Sequence, residues 1–290
     1  MSGPQTLDQE GSLPKLAIIA GGGDMPFRLA ETCRGSGRPY VILGLKGFAG
    51  DQISAHPHHW IALGEAGKAL DLLKHEGAGE LVFCGRVQRP NFADLRVDWT
   101  GMKLLPRLAM AGAKGDDALL SFIVREMEGY GYKVVGPNDV LKSLLAPAGV
   151  WTDTQPSDQD HLDIKRAIQV VSTLGALDIG QGAVVANGLV LAVEAAEGTD
   201  RMLDRVAMLR QAGSSVLGSS GVLVKMSKPG QERRIDLPTV GVETIRRMEQ
   251  AGLSGLAVEA KGALALDQAA MKALANEHGM FILGFERPAS

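Results

Sequence analysis

A short aliphatic run, a glycine turn, a helix and a second aliphatic run open the chain, and few architectures accept that order. Leu16 to Ala20 (LAIIA) reads as a strand, and Gly21-Gly22-Gly23-Asp24-Met25-Pro26 follows it. Asp24 before the next segment and Pro26 inside its first turn signal a helix running to about Gly35. Tyr40 to Leu45 is the next strand. Strand, glycine loop, helix, strand is the opening of a doubly wound, mostly parallel α/β sheet of Rossmann-like type. Its loop is able to present backbone N–H groups to a phosphate at a helix N-terminus. Gly21, Gly22, Gly23 and Asp24 are therefore candidate substrate contacts, although a tight turn also accounts for three glycines. A dinucleotide fingerprint is absent: Pro26 stands where the third glycine of G-x-G-x-x-G belongs, and no acid ends the second strand. A nicotinamide cofactor is thereby rejected.

Alternation continues through the first half. Trp60 to Leu63 and Glu80 to Cys84 read as strands, Gly67 to Glu76 as a helix. The second of these strands ends in Gly85-Arg86-Val87-Gln88-Arg89-Pro90. Such strand ends face the ligand crevice, so Arg86 and Arg89 are candidates to hold an anion. His56, His58 and His59 lack a cysteine or acid at ligand spacing and read as a solvated loop. Met102 to Met110 is apolar and interrupted by Pro106. Lys114-Gly115-Asp116-Asp117 opens a long helix, and Tyr132 to Val135 and Asn138 to Leu145 supply one more strand and helix.

At 290 residues two domains are expected. Their boundaries are read as a tail at 1–14, an N-terminal Rossmann-like domain at 15–147, a linker at 148–158 rich in turn residues, and a C-terminal catalytic domain at 159–290. Aromatics make up only 4% of the chain, so the cores must be aliphatic. A formal net charge of −3 gives no global attraction to nucleic acid. Two cysteines far apart, Cys33 and Cys84, argue against a disulfide framework and for a reducing, cytoplasmic compartment. Residues 1–14 lack the apolar run of a secretory signal, and no run of 18 apolar residues exists to span a membrane.

The second half predicts an α/β domain with antiparallel hairpins, hence a mixed sheet. A helix from about Asp160 to Leu174 leads to the polar link Asp178-Ile179-Gly180-Gln181-Gly182. Asn187-Gly188 between two apolar runs is a strong hairpin signal. Glu194, Glu197 and Asp200 then bring three acids to one strand-to-helix corner, where Thr199 or Asp200 can cap the helix and the acids can gather around Mg²⁺. Val222 to Pro238 (VLVKMSKPGQERRIDLP) reads as a further hairpin turning at Lys228-Pro229-Gly230-Gln231. Strand alternation places Val222, Val224 and Met226 on the inner face, with Ile235 and Leu237, and leaves Lys225, Arg234 and Asp236 on the other. Cations with one carboxylate suit a phosphorylated ligand; a solvated ion pair is the plainer explanation. Beyond it lie a helix at about 242–251, a strand at 255–260, a helix at 267–278 and a strand at 280–285.

LAIIAGGGDMP, LVFCGRVQRP, KGDDALL, LDIGQGAVV, VLAVEAAEGTD, VLVKMSKPGQERRIDLPTVG and GLAVEA occur here in that order. In this the chain resembles the UDP-2,3-diacylglucosamine pyrophosphatases of the LpxI type, over essentially everything after Lys15. The resemblance implies an enzyme of lipid A biosynthesis that hydrolyses UDP-2,3-diacylglucosamine to UMP and 2,3-diacylglucosamine 1-phosphate (lipid X). It implies a need for Mg²⁺ or a similar divalent ion, two domains enclosing the lipid between them, and an essential acid in the D-L-P motif, here Asp236. Water attack at the β-phosphorus, leaving UMP, is expected. Asp236, Lys225 and Arg234 are then the catalytic candidates, and Asp236, Glu194 and Glu197 the metal candidates. Gly21, Gly22, Gly23, Asp24, Arg86, Gln181, Thr199, Asp200 and Lys228 are the substrate contacts. The site of action implied is the inner face of the inner membrane, by transient contact. The alternative from another class is a nucleotide-sugar-binding regulatory module without turnover.

Overall fold

The computed structural model describes residues 13–88, 95, 97–212 and 220–287. The tail ahead of residue 13 and Arg89 lie outside the described residues. The chain divides after Leu141 into two compact units.

The first unit contains β1 (Leu16–Ala20), α1 (Met25–Ser36), β2 (Tyr40–Leu45), a 3₁₀ turn (Asp51–Ala55), β3 (His58–Ile61), α2 (Ala66–His75), β4 (Glu80–Cys84), α3 (Trp99–Gly112), α4 (Asp116–Gly129), β5 (Lys133–Val135) and α5 (Pro137–Val140). Its five strands pair in the order β3-β2-β1-β4-β5, and every pairing is parallel. This is the strand order of a doubly wound sheet, and the topological switch lies between β1 and β4. Leu16, Ala17, Ile18 and Ala20 are all fully buried. A strand covered on both faces needs such an unbroken apolar run. Pro106 does not interrupt the apolar segment around it: α3 is continuous from Trp99 and is started by Asp98, whose side chain accepts from Gly101 N–H at 2.8 Å. The helix expected from Asn138 to Leu145 is shorter, a single turn of α5 followed by a 3₁₀ turn at Lys142–Leu144. The histidines have separate partners. His56 Nδ1 meets the Tyr40 hydroxyl and His59 Nε2 meets Glu76, each at 2.7 Å.

The second unit contains β6 (Gly149–Val150), α6 (Asp158–Gly175), β7 (Gly182–Ala186), β8 (Leu189–Val193), α7 (Gly198–Gln211), β9 (Val222–Lys225), β10 (Thr239–Val240), α8 (Val242–Gln250), β11 (Gly255–Glu259), β12 (Leu264–Ala265), α9 (Gln268–Glu277) and β13 (Phe281–Phe285). Six strands form one mixed sheet in the order β6-β13-β11-β9-β7-β8. Strands β9, β11 and β13 run parallel; on one flank β7 is antiparallel to β9 and β8 antiparallel to β7, and on the other β6 is antiparallel to β13. Gly149 and Val150, expected in a linker, are thus part of the sheet. Alternate residues of each strand serve two cores. Val222, Val224, Ala257 and Phe281 pack with Ile164, Ala167 and Val171 of α6. Leu223, Leu256, Val258 and Ile282 pack with α7, α8 and α9 through Met202, Leu203, Ile245, Met248 and Met271. Helix α6 begins with a reciprocal capping box between Ser157 and Asp160.

One expected element is absent. Val222 to Pro238 is not a hairpin: β9 pairs with β11 and β7, and residues 226–238 form an irregular loop with turns at 229–230, inside the expected Lys228–Gln231 turn, and at 233–235. The inward direction of Val222, Val224 and Met226 is nevertheless as alternation required.

Candidate active site

The sheet of the second unit gathers charge at one edge, where its parallel strands end. Gly182, at the start of β7, pairs with Lys225, at the end of β9, and Lys225 pairs with Val258 beside Glu259. Glu194, following β8, donates its N–H to Gly182 O at 2.8 Å. Carboxyl ends of parallel strands are where α/β sheets present ligand crevices. Lys225 is only 4% exposed. Its ammonium donates to Thr199 Oγ1 at 2.5 Å and stands 3.5 Å from Glu194 Oε2, an ion pair without a hydrogen bond. That Oε2 is buried and has no hydrogen-bond partner among the described residues. Thr199 belongs to the first turn of α7, where backbone N–H groups are left over and the helix dipole is positive. A lysine packed there makes the corner attractive to an anion.

The glycines of the Asp178–Gly182 link have a steric cause. A Cβ on Gly182 would stand 2.6 Å from Glu194 Oε2. A Cβ on Gly180, which has φ +56°, would stand 1.9 Å from Glu194 O. The link is glycine-rich because the Glu194 residue lies directly against it.

The 226–238 loop is held at several points. Ser227 N–H and Oγ both donate to buried Glu259 Oε2, at 2.9 and 2.7 Å, and Arg287 donates to the same oxygen at 2.9 Å. Lys228 Nζ donates to Asp178 Oδ1 at 2.5 Å. Gln231 is buried; its Oε1 accepts from Lys228 N–H at 2.7 Å, while its Nε2 donates to Gln181 Oε1 at 3.3 Å and to Asp236 Oδ2. Arg234 makes two bonds of 2.8 Å to Glu232, through Nε and Nη2. The structure thus brings Lys225, Glu194 and Thr199 into one cluster and ties Asp236 to Gln181 through Gln231. Arg234 is paired with Glu232, Glu197 with Arg205 at 3.0 Å, and Asp200 stands 3.9 Å from Arg247. Neither Thr199 nor Asp200 caps α7: Glu197 is its N-cap residue and makes no side-chain capping bond.

In the first unit, Gly21 N–H donates to Cys84 O, and Gly22 exchanges two hydrogen bonds with Arg86, each at 2.8 Å. These bonds zip the ends of β1 and β4 together across the switch point. A Cβ on Gly21 would lie 2.7 Å from Arg86 O, and one on Gly85 2.7 Å from Gly21 C. Close backbone approach is therefore what these two glycines serve, and the N–H groups of Gly21 and Gly22, expected to face a phosphate, are engaged inside the protein. Gly23 (φ +89°), Asp24 and Arg86 are exposed at the same strand ends.

Comparison with known proteins accounts for both units. Residues 15–144 match the LpxI N-terminal domain and residues 147–283 the LpxI C-terminal domain. The chain belongs to the LpxI family. It is 44% identical over 281 residues to a Caulobacter vibrioides protein named UDP-2,3-diacylglucosamine pyrophosphatase LpxI, covering 94% of this chain and 99% of that one.

Within this LpxI sequence the residues missed from sequence are Gln231, Ser227, Glu259 and Asp178, which hold the charged groups in place. Gln231 stood in the turn motif KPGQ, where an amide signals exposure; it is instead buried, with its amide bonded to Lys228, Gln181 and Asp236. The carboxylates expected to bind a metal together, Glu194, Glu197 and Asp236, do not form such a group. Among the described residues no three histidine, cysteine or acidic side chains are gathered to hold an ion. Magnesium usually needs only one or two carboxylates, with water and substrate phosphates completing its shell. Asp236 and Glu194 fit that smaller requirement as oxygen donors at this edge, Glu194 with a buried oxygen lacking a hydrogen-bond donor among the described residues.

Proposed function

We propose that this LpxI protein hydrolyses the pyrophosphate of UDP-2,3-diacylglucosamine to UMP and 2,3-diacylglucosamine 1-phosphate in lipid A biosynthesis. The near full-length likeness to the Caulobacter pyrophosphatase carries the reading. Water attacks the β-phosphorus, the bond from that phosphorus to the bridging oxygen breaks, and UMP leaves with that oxygen. Asp236, posed by Gln231, orients the water and takes its proton. Lys225, at the N-terminal turn of α7, and Arg234 stabilise charge on the phosphate oxygens. Gln181, Thr199, Asp200 and Lys228 position the substrate in the second unit, and Gly23, Asp24 and Arg86 contact it from the first. Asp236 and Glu194 would hold a magnesium ion, whose chemistry there would be to neutralise phosphate charge and lower the pKa of water. The proposed place of reaction is the cytoplasmic face of the inner membrane, by transient contact, because the substrate is a lipid.

The test is purified protein with UDP-2,3-diacylglucosamine and Mg²⁺, with UMP and the lipid phosphate measured by mass spectrometry. Both products are expected, and a chelator stops their release. A module that only binds nucleotide sugars releases neither. A hydrolase indifferent to acyl chains cleaves UDP-N-acetylglucosamine at a similar rate, which contradicts the proposal. Asp236→Ala is expected to lower kcat by roughly 10²–10⁴-fold with substrate still bound; near-normal turnover removes Asp236 from the mechanism.

A further inference from the structure

Helix α3 turns three of its large apolar side chains away from the core. Trp99 is 70% exposed, Met102 54% and Met110 69%. Together with Lys103, Pro106 and Arg107 they fall on one helical face, and all six are exposed. The buried residues of the helix are Gly101, Leu104 and Gly112. Gly101 packs so closely that a Cβ would stand 2.6 Å from Gly64 O. Leu104 packs inward beside the two glycines and Leu105 and Leu108 are half-buried, while an aromatic ring and two thioethers face solvent. A helix that served the core alone would be polar on its outer face, and exposed apolar stripes of this kind mark interaction surfaces.

Charge on this face narrows the partner. Among its 14 residues α3 has two cations and no acid. Lys103 Nζ stands 5.1 Å from the Trp99 ring centroid, next to the apolar stripe. Arg107 is engaged by Phe122 and by Glu126 at 2.6 Å, so Lys103 is the cation the argument uses. Tryptophan, methionine and lysine on the outer face of a helix about 21 Å long suit the boundary between lipid headgroups and acyl chains. We propose that the outer face of α3 docks on an anionic phospholipid bilayer, with Trp99, Met102 and Met110 at the acyl boundary and Lys103 at the headgroup phosphates. The inference rests on the proposed function for its purpose, since a diacylated substrate resides in a bilayer, but its test needs no substrate.

Full-length protein is sedimented with vesicles of phosphatidylethanolamine and phosphatidylglycerol, and with pure phosphatidylcholine vesicles. Binding to the anionic vesicles alone, weakening with salt, is expected. Brominated acyl chains should quench tryptophan emission; Trp99→Phe should keep the binding and lose most of the quenching. A triple variant, Trp99→Gln with Met102→Gln and Met110→Gln, should lower partitioning at least tenfold at an unchanged melting temperature, and Lys103→Glu at least threefold. The proposal is overturned if the triple variant partitions like the parent, or if Trp99→Phe leaves quenching intact. It is equally overturned if sedimentation velocity shows the triple variant splitting a parental dimer while vesicle binding stays the same. Turnover of detergent-dispersed substrate, measured alongside, separates the two readings. Turnover without vesicle binding refutes the docking surface alone, and α3-dependent vesicle binding without turnover supports it while refuting the proposed activity.

Discussion

Gly180 and Gly182 stand two positions apart against the same glutamate, yet replacing them tests different things. At Gly182 the atom in the way is Glu194 Oε2, the far end of a flexible side chain. Gly182→Ala should therefore push the carboxylate off Lys225 at little cost to folding, lowering kcat roughly tenfold with less than about 1 kcal/mol lost in urea unfolding. At Gly180 the obstacle is Glu194 backbone oxygen, and φ is +56°. Gly180→Ala should instead destabilise by about 2–3 kcal/mol in the same measurement. If the two variants behaved alike, the steric assignment of the link would be wrong. Lys225, Glu194 and Asp236 were legible as candidates because Lys225 interrupts an apolar run, Glu194 follows one and Asp236 stands in the D-L-P motif. Their partners were not. An amide such as Gln231 or a serine such as Ser227 looks the same whether it faces water or a buried acid.

Elements were legible where local pattern and tertiary setting agree. Strands β2 and β4 end where their apolar runs end, and Asn187-Gly188 turns β7 into β8. They were misread where a distant partner decides. VLVKM and RRIDL both alternate and flank a turn motif, but β9 finds β11 and β7 on its two sides, so no edge remains for a hairpin arm; pairing overrides local propensity. The C-cap of α2 shows another long-range tie. Glu76 accepts from Lys15 at 2.6 Å, just before β1, and meets His59 of β3 at 2.7 Å. The Lys15 and His59 hydrogen bonds, in that order, hold its carboxyl down at about 2, against an ordinary 4.5. A folded-state value below the unfolded one means the stabilisation is present above pH 4.5 and lost as pH falls from there through about 2. Glu76→Gln should thus lower stability at pH 7 by on the order of 1 kcal/mol, since partial exposure screens the pair. The difference from the parent should shrink in that acid window and vanish below it. Thermal melts across the range check it; a difference constant with pH would contradict it.

At the scale of the whole molecule, each unit closes its own sheet, and domains of this kind are expected to open one without the other. A ligand changes that only if it touches both. A substrate bound by the second unit alone protects that unit's core amides and leaves β1 and β4 exchanging as before. A substrate also held by Gly23, Asp24 and Arg86 must be released before the first unit opens, so those strands slow as well. At a ligand concentration of ~100 Kd the linkage is about 2.7 kcal/mol, or roughly 100-fold in the exchange of amides that open by unfolding. The Asp236→Ala protein is suited to the measurement, because it is expected to bind substrate without consuming it. Hydrogen exchange with and without UDP-2,3-diacylglucosamine should show slowing at β9 and β11 and also at β1 and β4. Adding Arg86→Ala should weaken binding and shrink the effect at β1 and β4 when ligand is raised to restore saturation of the second unit. Slowing confined to β9 and β11 would assign the whole substrate to the second unit and leave the first without a part in binding it.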